Sequence, residues 1–194
     1  YQVSVTTNSL TDEEHALWTG LLIKRLFKVD AKISYRKNKN AITIVASSKK
    51  MVHFLALHGM PTGNKIQNNL AAPKWIFSSR LLQRAFIRGL FDTDGCVYVD
   101  KHKTSKKVYR HLGWALTSYA NGLVTDIITI LKNLGFAPTH RTTQKSVYLR
   151  KQEEIKRYFL EVGTSNPKHS KRYDSFWNGT EAAITAPTRN RMVA

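Results

Sequence analysis

Ten consecutive residues, Phe86-Ile87-Arg88-Gly89-Leu90-Phe91-Asp92-Thr93-Asp94-Gly95, bring two carboxylates and two glycines to the end of a helix-patterned run. Gly89 inside a helix costs about 1 kcal/mol against alanine, and a glycine there is most useful where another helix backbone must come close. Carboxylates at a helix C-terminal end run against the macrodipole, and a bound cation removes that penalty. Carboxylates, water and a phosphate oxygen are the normal ligands of Mg²⁺. Gly95 is expected to take a positive φ in the turn into the following strand. The chemistry implied is two helices packed through small residues, with acidic tips side by side around Mg²⁺. The competing reading is a glycine-terminated helix whose aspartates make only turn hydrogen bonds. A calcium-binding EF-hand loop fails: with Asp92 at its first position, the twelfth is Lys103, where Glu is required.

The rest of the chain must position that tip. Its 194 residues carry 31 Lys+Arg against 13 Asp+Glu, a net charge of +18. A surplus of that size points to nucleic acid, because Lys and Arg gain affinity by releasing counterions condensed on phosphates. Hydrophobic residues make up 42%, enough for a core, which excludes a basic disordered tail. No apolar run is long enough to span a membrane, so no membrane partner is expected. The single cysteine, Cys96, excludes a disulfide framework and a cysteine-based zinc site, consistent with an intracellular, reducing compartment, cytoplasm or organelle. The opening YQVSVTTNSL is not a signal peptide; it lacks an initiator Met, which suggests a trimmed or processed product.

A pattern of strand, helix, strand, strand, helix occurs twice. The first copy reads as strand Gln2–Thr7, a helix capped by Thr11 with Glu14 completing a capping box, strands Ala31–Arg36 and Ala41–Ser47, and a helix Lys49–His58 ending at Gly59. The second reads as strand Gly113–Ser118, helix Leu123–Leu134, strands Pro138–Thr143 and Lys145–Arg150, and helix Glu153–Val162 ending at Gly163. Phe27 matches Phe136, and Gly59 matches Gly163. Between the copies, Ser79 caps a helix over Arg80–Phe91, strand Cys96–Asp100 follows, and Lys101–His111 reads as a basic loop. The first copy has no such helix and strand before it. The expected organisation is a partial first repeat over residues 1–72, a complete second repeat over 73–177 and an extension over 178–194.

Ile87 to Gly95 aligns without a gap with the LAGLIDADG motif, and the string resembles that of the LAGLIDADG homing endonucleases. Pro73-Lys74-Trp75-Ile76 is similar to the family's approach to its second motif, and the repeats resemble its αββαββα unit. The resemblance covers most of residues 1–175. It implies an α+β fold in which two sheets form a DNA-binding β-saddle, the first repeat being incomplete here. It implies that motif helices pair through Phe86, Gly89 and Leu90. Asp94 is then the metal ligand with the Gly95 carbonyl beside it, and Asp92 a structural helix-end residue or secondary contact. Lys65 and Lys168, which fall after the last helix of each unit, are implied as catalytic lysines that stabilise the pentavalent phosphate. Arg36, Lys37, Lys39, Lys101, Lys103, Lys106, Lys107, Arg110, Arg141, Lys145 and Arg150 lie on or beside the strands. Those on strands would reach base edges, and those in loops would contact phosphates. Tyr35, Tyr98 and Tyr148 read as sheet-packing residues, and His15, His53 and His58 as structural.

The implied function is a site-specific double-stranded DNA endonuclease, of intron or intein origin, hydrolysing phosphodiesters with Mg²⁺ or another divalent cation. The alternatives are a DNA-binding protein of the same fold without cleavage, such as a regulator or an intron maturase, and an unrelated basic RNA or ribosomal binder. Only one motif is visible. Either another copy of the chain in a homodimer donates a second Asp94, or an N-terminal half completes the site, or activity is lost.

Overall fold

The computed structural model describes residues 1–36, 39–64, 67–68, 70–105, 107–141 and 145–179. The first half runs β1 (Gln2–Asn8), α1 (Glu13–Phe27), β2 (Ala31–Arg36), β3 (Ala41–Ser47) and α2 (Lys49–Leu57). Its strands form an antiparallel sheet in the order β1-β3-β2. Strand side chains alternate between faces, so Ile42, Ile44 and Ala46 of β3 turn to the helices and are buried. Exposed Gln2, Ser4 and Thr6 of β1 point the other way. Ser48 caps α2, its hydroxyl accepting from the Met51 amide.

Pro73 then opens a short 3-10 helix over Lys74–Ser78, and α3 (Arg80–Asp94) follows. Ser79 caps α3 as the sequence predicts, accepting from the Leu82 amide. The chain continues through β4 (Gly95–Lys103), β5 (Val108–Thr117), α4 (Asn121–Asn133), β6 (Thr139–His140), β7 (Ser146–Leu149), α5 (Gln152–Glu161) and α6 (Pro167–Trp177). The second sheet is antiparallel, in the order β4-β5-β7-β6. Without β4 that order is β5-β7-β6, the same path through space as β1-β3-β2. The two halves therefore share a plan to which the second adds α3 and β4.

The cores are unequal. The second half buries a continuous cluster that includes Ile87, Phe91, Trp114, Ile127, Leu149 and Tyr158. The first half buries Ala16, Ile42 and Ile44, with Val5, Ile23, Ala31 and Ile33 partly buried around them. In both sheets the helices cover one face only, and the other is the helix-free face.

Several local expectations are corrected. The helix after Thr11 is capped at Asp12, without a side-chain cap bond. The Thr11 hydroxyl donates to Asp12 instead, at 3.1 Å. Lys101–His111 is not a loop. β4 runs on to Lys103 and pairs with β5 from Val108 in the register Lys101↔Arg110, because the alternation of strand residues continues past the core where charged side chains stay wet on both faces. The strands near residues 138–150 are shorter than expected. α3 extends through Asp94, and Gly95 has φ −84° rather than a positive value. Glycine is required there for space: a Cβ would lie 2.2 Å from the Phe91 ring and 2.3 Å from its carbonyl oxygen. Finally, α6 was not anticipated, although Asn166 before Pro167 is a sequence signal for a helix start. The Asn166 side chain accepts from the Lys168 amide at 3.0 Å.

Candidate nucleic-acid interface

The C-terminal turn of α3 is anchored by one aromatic side chain. Phe91 is fully buried. It stacks on Trp114 with ring centroids 4.9 Å apart and meets Tyr158 at 5.2 Å and His169 at 4.6 Å. Aromatic contacts of this kind add about 0.5–1.5 kcal/mol each beyond area burial. They fix the direction in which the helix ends.

The two carboxylates of the motif then part company. Asp92 is buried and sits over the start of α6. It accepts from the Ser165 amide at 2.9 Å and from the Thr164 hydroxyl, and its backbone carbonyl accepts from the Asn166 side chain at 2.8 Å. An anion at a helix N-terminus is favourably placed, so Asp92 serves structure, as one of the two implied roles required. Asp94 is exposed, with the Thr93 hydroxyl donating to it at 3.2 Å.

Lys168 lies close by, on the first turn of α6. Its ammonium is 2.7 Å from Asp12, and the side chain is only 15% exposed. Burial raises the Asp12 carboxyl, but the Asn166 amide, the Lys168 ammonium and the Thr7 hydroxyl outweigh it and leave the group below its ordinary value. Burial pushes the Cys96 thiol above its ordinary value, with the Arg172 and Lys168 charges of α6 pulling in the other direction. α6 thus brings two cations within electrostatic reach of Cys96, the second residue of β4. Lys65 lies outside the described residues.

α3 presents a second surface on its opposite side. Ala85, Gly89 and Thr93 face Trp18, Leu22 and Arg25 of α1 across a groove of about 380 Å³. A Cβ on Gly89 would have nothing within 4 Å. Of the implied helix-interface residues, Phe86 and Leu90 pack on the core of their own half, and Gly89 alone looks into the groove. Trp18 and Leu21 are exposed beside it.

The helix-free faces carry the candidate DNA contacts unevenly. Arg36 is on that face, its Nε donating to the Thr43 hydroxyl at 3.1 Å. Arg150 is there too, its guanidinium 4.7 Å from the centre of the Tyr148 ring. Lys101, Lys103 and Arg110 occupy the alternate strand positions, in phase with buried Val97, Val99 and Leu112. Lys39, Lys107, Arg141 and Lys145 lie in the turns at the strand ends. Lys37 and Lys106 lie outside the described residues. Three residues that sequence reasoning passed over, Lys32, Asp100 and His102, share the helix-free faces with Tyr98; the strand period itself was the signal for them. Tyr98 packs across Gly113, where a Cβ would meet its ring at 2.3 Å. Tyr35 turns to the helices and donates to Glu13, and buried His15 stacks on Trp18.

Whether a divalent cation suits this tip can be judged from its donors. Mg²⁺ is usually held through one or two carboxylates plus substrate phosphates. Asp94 and the Gly95 carbonyl match that chemistry, and among the described residues no group of three His, Cys, Asp or Glu could hold an ion without help. The tip is thus suited to contribute part of a cation's shell.

Comparison with known proteins is consistent with this anatomy. Residues 81–163 match the family model of the LAGLIDADG-like domain. Among solved structures, the meganuclease I-SmaMI bound to uncleaveable DNA superposes with a TM-score of 0.60 at 14% identity, covering 89% of this chain and 76% of that one. I-DmoI in complex with DNA and Ca gives 0.56 at 18% identity, covering 90% and 83%. The N-terminal LAGLIDADG domain of DUF199/WhiA gives 0.52 at 14% identity, covering 82% and 72%. No curated protein matches the chain. With its motif helix, its antiparallel sheets and its helix-free faces in this arrangement, the chain has the LAGLIDADG homing-endonuclease fold and carries a LAGLIDADG-like domain over residues 81–163.

Proposed function

We propose that the chain binds double-stranded DNA site-specifically across its two helix-free sheet faces, and that Asp94 takes part in divalent-metal hydrolysis of the phosphodiester backbone. The observation that carries this reading is the division of labour at the end of α3: Asp92 is buried over the start of α6, and Asp94, two residues on at the helix tip, is exposed. The net charge of +18 supports a polyanionic partner, and the DNA-bound relatives of the same fold support DNA as that partner. Asp94 and the Gly95 carbonyl would hold the cation, Mg²⁺ being the ion their hard oxygen donors suit. When bound, such an ion stabilises charge on the attacking and leaving oxygens. The Lys168 ammonium supplies positive charge near the tip, in a position fixed by Asp12.

One acidic tip is half of a two-tip site. The groove between α1 and α3, with its open glycine and exposed Trp18, fits a second helix whose own small-residue face meets Gly89. We assign the completing tip to such a helix, contributed by a segment joined to residue 1 or by another copy of the chain. The first half would then be a partial repeat that this helix and its strand extend along β1.

The test is an assay on long duplex DNA in Mg²⁺ beside a binding assay in EDTA. Wild-type protein should bind in EDTA and nick or cut in Mg²⁺, and Asp94→Asn should bind equally while losing roughly 100-fold or more in cutting, the scale of a few kcal/mol of charge stabilisation. The lone tip also favours a second reading, a DNA-binding protein that does not cut. Wild-type binding without cleavage under any divalent cation would select it.

A further inference from the structure

The helix-free face of the second sheet holds one residue of the wrong charge for gripping phosphates. β4 alternates buried Val97 and Val99 with Cys96, Tyr98, Asp100 and His102 on the helix-free side. The antiparallel register sets His111 of β5 directly opposite Asp100, and Tyr109 opposite His102. Asp100 Oδ2 lies 3.1 Å from His102 Nε2, and the carboxylate side chain is 43% exposed. The His102 and His111 rings are 6.4 Å apart. The carboxylate is therefore bonded to one imidazole through Oδ2, with a second imidazole opposite it in the register, on an otherwise neutral or basic surface.

A carboxylate here repels every phosphate that approaches, so it weakens general DNA affinity. What it offers in exchange is acceptance without donation. In the major groove guanine presents only acceptors and thymine an acceptor and a methyl group, so both reject a carboxylate. Adenine offers its N6 amine, but with the N7 acceptor beside it. Cytosine offers its N4 amine with no acceptor adjacent. With the His102 Nε2 engaged by Asp100, the His111 imidazole opposite it is the ring left to donate to an O6 or N7 acceptor on the guanine of the same pair.

We infer that Asp100, oriented by His102, is a specificity-determining residue that reads the N4 amine of a cytosine in the half-site facing β4 and β5. The inference rests on the proposed DNA-binding reading and deepens it by naming the base that one position requires. A purely structural Asp100, present only to hold His102, would affect all DNA sequences alike.

The experiment is selection from a randomised duplex library by the full chain in EDTA, for wild type and Asp100→Asn, with the bound sequences read out. The exchange is isosteric at a half-exposed position and leaves the fold intact. Wild type should show one strongly constrained C·G pair. Asp100→Asn should relax that pair roughly tenfold or more and move its preference toward adenine, whose N6 and N7 match an amide, with the other positions unchanged. Total affinity for unselected DNA should rise. Identical selected sites for the two proteins would overturn the role of Asp100 and leave site-specific binding standing. A wild-type protein that selects no sequence at all would overturn site-specific binding and this inference with it.

Discussion

Asn166 and Asp12 are joined across 154 positions of sequence by a 2.7 Å hydrogen bond between buried side chains. The same amide donates to the Asp92 carbonyl, so a single side chain ties the first turn of α1, the end of α3 and the start of α6 together. Asn166→Ala removes the cap of α6, about 1 kcal/mol, and strands buried acceptors at about 1–3 kcal/mol more. The expected loss is about 2–4 kcal/mol, read as a lower urea midpoint at unchanged slope.

The Asp12–Lys168 pair allows a sharper test. Removing one partner of a buried ion pair leaves an uncompensated charge, at a cost of about 3–5 kcal/mol, whereas replacing both with apolar residues is often close to neutral. Lys168→Met should therefore destabilise strongly, and Asp12→Leu combined with Lys168→Met should regain much of the loss in the same denaturation assay. Failure of the double variant to recover would assign the cost to lost packing or to the Asn166 amide left without its Asp12 acceptor.

The two glycines of the motif should respond in opposite directions. Gly95→Ala forces a Cβ against the Phe91 ring and carbonyl and should cost at least about 2 kcal/mol. Gly89→Ala meets open space and should stabilise the chain by up to about 1 kcal/mol through helix propensity. Thermal midpoints of the two variants decide the matter. If a helix docks in the groove as proposed, Gly89→Ala should also weaken cleavage while raising the midpoint.

Acid should destabilise the fold through His169. Burial, with the Lys168 and Arg172 charges beside it, lowers this imidazole from 6.5 to about 3. Below the ordinary value the unfolded chain takes up a proton that the folded chain refuses, so stability falls as pH drops from 6.5 toward 3, by up to about 1.4 kcal/mol per pH unit. Asp12 acts in the same direction but lower, its contribution going only below its ordinary 3.8 as pH falls through the depressed folded value. His169→Leu should flatten the dependence between pH 6.5 and 4 in urea titrations and leave the Asp12 step in place.

The basic residues should sort by face. Arg36→Ala and Arg150→Ala remove side chains on the helix-free faces and should relax sequence preference at single positions, each worth about 1–3 kcal/mol of discrimination. Lys39→Ala and Lys145→Ala, in turns, should weaken all sequences alike and reduce the salt slope of binding by about 1 each. Affinity measured across a salt series on a selected and a scrambled duplex separates the two classes.

Much of this was legible in the residues because it is local. The alternation in Ala41–Ser47, the Ser79 cap and the glycine stops at Gly59, Gly135 and Gly163 all report on chain within a few positions. So does the motif itself. What escaped was non-local. Nothing near Asp12 announces Asn166, and the cap expected from Thr11 gave way because the neighbouring carboxylate was drawn to α6. Gly95 was read as a turn residue, when its requirement comes from the ring of Phe91 packed beneath it. Along Lys101–His111 the density of charged residues masks the strand period that the pairing of β4 with β5 reveals, and the same density masks Asp100.

The disparity between the two cores has a kinetic corollary. With Ala16, Ile42 and Ile44 as its buried centre, the first half has little to resist sub-global opening, and its amides should exchange with solvent deuterium well before those of Trp114, Ile127 and Leu149. The Asn166 staple is then the latch of that motion: it couples a pliable sheet to a rigid one. A bound duplex spanning both faces would register as slowed exchange along the whole of β1 and β3.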